Sequence, residues 1–168
     1  MSEIPLLVVF PTLMAYAAAS DLLTMTIPNR LSLALVIGFA VLACLGGMSP
    51  QSALLHVAAG ALVLAVTFAF FAFGWIGGGD AKLAAATALW LGFEPLPDYL
   101  FVAAVGGGLL TLAVLALRWT PLPSFALGWR WLSRIHDRDS GVPYGIALAA
   151  AALFVYPQSE IWTAALAH

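Results

Sequence analysis

Charge is what this 168-residue chain has least of: 8% of its residues are Asp, Glu, Lys or Arg, against 63% that are hydrophobic. A water-soluble domain carries roughly 25% charge, so a surface of this composition does not face water. Cysteine is nearly absent. The lone Cys44 lies within an apolar run, which excludes a disulfide framework and a thiolate metal site and leaves a small buried hydrophobe. With a net charge of −2 and no basic stripe, nucleic acid is excluded as a partner. The opening MSEIPLLVVF has no positive n-region, its only charge being Glu3. The first apolar run is therefore expected to stay as a permanent helix rather than act as a signal peptide.

What remains is oil, in six runs at about 4–20, 31–46, 52–73, 81–93, 99–117 and 142–157. Crossing a bilayer core takes about 20 helical residues, so the second, fourth and sixth are short. The fourth reaches a sufficient length only with flanking residues such as Gly79 to Lys82 or Phe93 to Pro97. The runs are continuous rather than alternating, which selects helices over a barrel. They predict an all-α, polytopic membrane protein, a bundle of six transmembrane helices forming one domain over 1–168, with the lipid bilayer as its solvent. Breaks at IPNR, GGMSPQ, GGGD, EPLPD and WTPLPS carry Pro, Gly or Asn. With six spans, all six basic residues (Arg30, Lys82, Arg118, Arg130, Arg134, Arg138) fall on one side. The positive-inside rule makes that side cytoplasmic and both termini external. In the stretch 118–141, Trp119, Trp129 and Trp131 interleave with arginines, as in a segment lying among lipid headgroups or one guiding a substrate. His136 is read there as a solvated loop residue.

Two of the eight acids adjoin helix ends on the cytoplasmic side, Asp21 and Asp80. Two carboxylates within hydrogen-bonding range cannot both ionise cheaply and hold one proton between them, the arrangement of an aspartic protease. Gly77, Gly78 and Gly79 then let an extended peptide approach and let the Asp80 turn adopt positive φ. Blander readings stand beside this one. Asp80 is also suited to N-cap the fourth helix, Asp21 to cap the turn before IPNR, and the glycines to reverse the chain. An ion or proton pathway accommodates membrane-edge acids equally well. Lys82 either biases the pair or reaches to the surface, and Gly106 to Gly108 read as a close helix contact.

Taken together, SDLLTMTIPNRL (20–31), GGGDAKL (77–83) and VPYGIALAAA (142–151) resemble, in this order and spacing, the type IV prepilin peptidases, a family of GxGD membrane aspartyl proteases. The matching positions are Asp21 with Ile27, Pro28 and Asn29; Gly77, Gly79, Asp80 and Lys82; and Pro143, Tyr144 and Gly145. The resemblance covers about residues 15 to 155. It implies a six-helix bundle in a bacterial inner membrane that removes the basic cytoplasmic leader of a prepilin, just ahead of its hydrophobic helix, with Asp21 and Asp80 as the catalytic pair. Tyr144 would bond the substrate or serve packing. Larger members carry a cytoplasmic insertion with paired CxxC motifs that bind zinc, and many N-methylate the new terminus. One cysteine and no such insertion make this chain similar to the short form of tight-adherence (Flp-type) pilus systems, for which no metal and no cofactor are expected. Two other classes fit the acids: a small proton- or cation-coupled transporter or channel component, and an inactive subunit of a pilus-assembly machine. Internal repeats, frequent in transporters, are not evident between 1–80 and 81–168.

Overall fold

The computed structural model describes residues 4–122 and 128–166, so the expectation for 118–141 falls partly outside them, at 123–127. Eight α-helices make up the described chain: α1 (Ile4–Thr24), α2 (Asn29–Leu45), α3 (Pro50–Ala72), α4 (Gly78–Leu91), α5 (Leu96–Trp119), α6 (Arg130–His136), α7 (Gly145–Val155) and α8 (Glu160–Leu166). A 3-10 turn, Tyr156–Gln158, joins the last two. Every apolar run became a helix, and the protein is all-α, as expected of a polytopic membrane protein. Leu7–Thr24, Pro50–Ala72 and Leu96–Trp119 are long and apolar enough to cross a membrane. The helices α2 and α7 with its 3-10 turn are shorter apolar elements.

The shortness of α4 has a packing reason. From Ala81 to Leu91 every side chain except Lys82 is buried, because α2, α3 and α7 surround it. Five alanines (81, 84, 85, 86 and 88) let those neighbours come close. A Cβ on Gly60 of α3 would lie 3.1 Å from Leu89 Cβ, and one on Gly38 of α2 would lie 3.3 Å from the Trp90 ring. By contrast, α3 turns Leu54, Leu55, Leu62 and Phe68 outward, as a lipid-facing helix does. Next to α4 stands α7, which packs between α1 and α5.

Four local expectations are corrected. Cys44 is exposed on the outer face of α2 rather than buried, since its turn of helix points away from α4. His136 ends α6 half-buried, its Nδ1 enclosed without a partner, and is not a solvated loop residue. Asp21 lies inside α1, whose last turn runs on to Thr24 with the Thr24 hydroxyl donating to the Ser20 carbonyl (2.7 Å). Finally, the glycines before Asp80 do not take positive φ. Gly77 has φ −71, Gly78 and Gly79 are already helical, and the left-handed glycines are Gly47, Gly74 and Gly92.

Candidate active site

The chain around Asp21 reverses by local chemistry. Met25, at φ 55, ends α1, and the Ser20 hydroxyl donates to the Thr26 carbonyl (2.8 Å), folding the following residues back over the helix end. That fold turns Ile27 inward, where it is buried, and delivers Pro28 as the extended N-cap of α2 (φ −63, ψ 137). Proline suits this place because its fixed φ and missing N–H cost nothing at a helix start. The fourth helix begins with Gly77 as N-cap and Asp80 three residues on, in its first turn. The Asp80 carboxylate reaches back to the Gly77 N–H, which is the acidic half of a capping box. Thus the N-cap itself is Gly77, and Asp80 caps from the third position.

Both acids come together at one end of the bundle. Asp21 is 5% exposed and its Oδ2 accepts the backbone N–H of Gly145 at 2.7 Å. That N–H is one of the donors that the start of α7 leaves without a helical partner, and the helix dipole favours an anion there. Asp80 lies close enough to feel the charge of Asp21. Ile27 fills the space between their supports. A Cβ on Gly79 would lie 3.2 Å from Ile27 Cβ, and one on Gly145 would lie 2.8 Å from Ile27 Cδ1 and 2.8 Å from Asp21 Oδ2. Glycine at 79 and 145 therefore serves close approach rather than backbone freedom. Gly78 has a related reason, with the Phe71 ring 3.1 Å from where its Cβ would stand.

Lys82 does not pair with either acid. Its Nζ donates to Asn29 Oδ1 at 2.8 Å, tying the N-terminal part of α4 to the first residue of α2. Among the described residues no cation pairs with Asp21 or Asp80, and no group of three or more His, Cys, Asp or Glu side chains is placed to hold a metal. Pro143 is fully buried, and Tyr144 lays its ring over Gly107 of α5 with its hydroxyl donating to the Ala103 carbonyl (3.4 Å). All three sequence motifs therefore converge: IPN through Ile27, GGGD through Gly79 and Asp80, PYG through Gly145.

The family model of the type IV leader peptidases matches residues 8–112, which hold both acids and the first two motifs. The chain belongs to the type IV leader peptidase family. Two curated relatives from Aeromonas salmonicida, one of them from strain A449, bear the name prepilin leader peptidase/N-methyltransferase. Each is 30% identical over 138 residues, covering 78% of this leader-peptidase-family chain and 41% of the relative. The chain thus spans about two fifths of the length of these relatives. No solved structure matches.

Around the two acids, arginines order the adjoining segment. Arg134 of α6 donates to the Leu23 carbonyl at the end of α1 (2.8 Å). Arg118 donates to the carbonyls of Ile135 (2.8 Å), Ser140 (2.9 Å) and Gly141 (2.9 Å). These two arginines are spent on carbonyls, while Arg130 and Arg138 remain exposed. The close contact expected of Gly106 to Gly108 is made by Gly107 alone, and its partner, Tyr144, 37 residues on, is one that the sequence does not indicate. His56 is buried in α3 and belongs to a second polar cluster at the opposite end, a solitary histidine in an apolar run being its only signal.

Proposed function

We propose that this chain is a membrane-embedded aspartic endopeptidase of GxGD type that removes the basic leader from a prepilin, with Asp21 and Asp80 activating one water between them. The observation that carries this reading is the meeting of Asp21 and Asp80, 59 positions apart in the chain, at one end of an apolar bundle, with no cation among the described residues pairing with either. One ionised carboxylate takes a proton from water while its protonated partner donates to the scissile carbonyl. Backbone N–H groups from Gly145 and Gly77 hold the two side chains in place, leaving their remaining lone pairs for water and peptide. The substrate enters from the bilayer, its hydrophobic helix against the bundle and its leader at the acid end.

Membership of the leader peptidase family supports the substrate class, and the charge map supports the orientation. Arg30, Lys82, Arg118, Arg130, Arg134 and Arg138 all belong to the acid end, which by the positive-inside rule supports an acid end at the cytoplasmic face of a bacterial inner membrane, with both termini external. The single cysteine, which leaves no paired CxxC motif in this sequence, favours a Flp-type prepilin as substrate. Pro28, Asn29, Lys82, Pro143 and Tyr144 support the site through the loops and helix starts that carry the acids.

Co-expression with a tagged prepilin tests the reading. The wild type is expected to shorten the prepilin by its leader, and Asp21→Asn and Asp80→Asn to leave it full length while accumulating normally. Cleavage that survives either substitution would overturn the aspartyl mechanism.

A further inference from the structure

We infer that Gly107, in the middle of α5, is a positioning residue for Asp21, acting through Tyr144 and Gly145. A Cβ on Gly107 would occupy the space of the Tyr144 ring edge and hydroxyl. Its neighbours on the same helix are unlike it. Gly108 meets nothing within 4 Å, and Gly106 meets only the Ala147 Cβ at 3.9 Å. So one glycine of the three forms a socket, and the aromatic ring fills it. The hydroxyl bonds the Ala103 carbonyl, one helical turn from Gly107, which fixes the ring along α5 as well as against it.

What the socket holds is the start of α7. Tyr144 is the N-cap of that helix, and its carbonyl accepts the Leu148 N–H (3.1 Å). Buried Pro143 precedes it, and the Tyr144 N–H closes a tight turn onto the Val142 carbonyl (2.8 Å). The backbone at 144 therefore has little freedom once its ring is seated. The next residue, Gly145, presents its N–H to Asp21 and sits so near that a methyl there would touch the carboxylate. Shifting Tyr144 by the radius of a methyl group moves that N–H. The carboxylate then loses its buried donor or follows it. Displacements of about 1 Å in a catalytic constellation cost on the order of 100-fold in rate.

For its kinetic arm this assignment rests on the peptidase reading; its labelling arm does not. Purified full-length wild type, Gly107→Ala, Gly108→Ala, Tyr144→Ala and the Gly107→Ala/Tyr144→Ala pair are assayed in two ways. The first is cleavage of a tagged prepilin, resolved into kcat and KM. The second is carbodiimide coupling of an amine to Asp21, read by mass spectrometry. Gly107→Ala is expected to lower kcat by about tenfold to 100-fold with KM within about twofold, and to speed Asp21 labelling several-fold. Gly108→Ala matches the wild type in both. With Tyr144→Ala the socket is empty, so adding Gly107→Ala costs nothing further, a non-additivity that marks direct contact.

The assignment is overturned if Gly107→Ala leaves kcat and labelling unchanged, if its effect equals that of Gly108→Ala, or if the two single losses simply add. Should Gly107→Ala fail to accumulate, Tyr144→Ala decides: faster Asp21 labelling than wild type supports the link, and equal protection refutes it. A wild type that cleaves no prepilin would count against the peptidase reading, while the labelling comparison still settles the positioning.

Discussion

The two ends of the bundle each hold a cluster of polar side chains, and the clusters are built to opposite rules. At the end away from the acids, His56 is buried and donates its Nδ1–H to the Leu89 carbonyl (2.8 Å). Its Nε2 faces Glu160 Oε2 at 3.6 Å, and the Ser52 hydroxyl donates to the same oxygen at 2.7 Å. The Phe39 ring stacks on the imidazole at 5.4 Å, and Gly92, at φ +73, makes room for it. Leu89 belongs to the last turn of α4, where carbonyls lack helical partners. His56 and Glu160 therefore join the ends of α3, α4 and α8 through side chains that satisfy one another. At the acid end the carboxylates are held by backbone N–H groups, and among the described residues neither is matched by a side-chain cation. A polar group in an apolar solvent is costly unless paired. The paired cluster reads as structure, and the one left open to a further partner reads as chemistry.

Substitutions sharpen that contrast. The largest effect falls on Asp21→Asn and Asp80→Asn, each expected to lower prepilin cleavage by about 1,000-fold or more with the thermal midpoint of the purified protein little changed. Next comes Gly145→Ala. Its methyl meets the movable ends of Asp21 and Ile27 rather than backbone, so activity is expected to fall about 100-fold while membrane accumulation holds. At the other end the pattern inverts. His56→Ala removes the Leu89 partner and leaves a cavity beside Phe39, costing about 1–3 kcal/mol of stability by thermal unfolding in detergent, with kcat unchanged once the protein is folded. A loss of kcat in folded His56→Ala would break the comparison. The smallest effect is expected of Lys82→Met, which removes one exposed hydrogen bond worth about 1 kcal/mol and lowers activity only a few-fold through the α2–α4 tie.

The sequence disclosed the architecture because lipid demands it. Apolar runs long enough for helices, broken by Pro and Gly, admit few other readings, and each run appears as a helix. Even the doubtful fourth run was legible as short. Its burial on all sides explains why 14 residues suffice, since α4 meets other helices where a longer span would meet lipid. The motifs named the acids, and the fold brought them together. What stayed hidden depends on contacts between distant residues. Gly77 to Gly79 looked like a flexible turn, whereas Phe71 and Ile27 pressing on Gly78 and Gly79 are the reason for glycine there. Lys82 looked free or paired with an acid until Asn29, 53 positions away, was seen to hold it. Neither partner follows from spacing along one helix.

The most direct test of the central claim is cleavage of a purified prepilin by purified wild type, Asp21→Asn and Asp80→Asn, with the released leader identified by mass. The expected result is one cut between the basic leader and the hydrophobic helix by the wild type, and no leader released by either variant. Leader release by a variant lacking one carboxylate would contradict the shared role of the two acids.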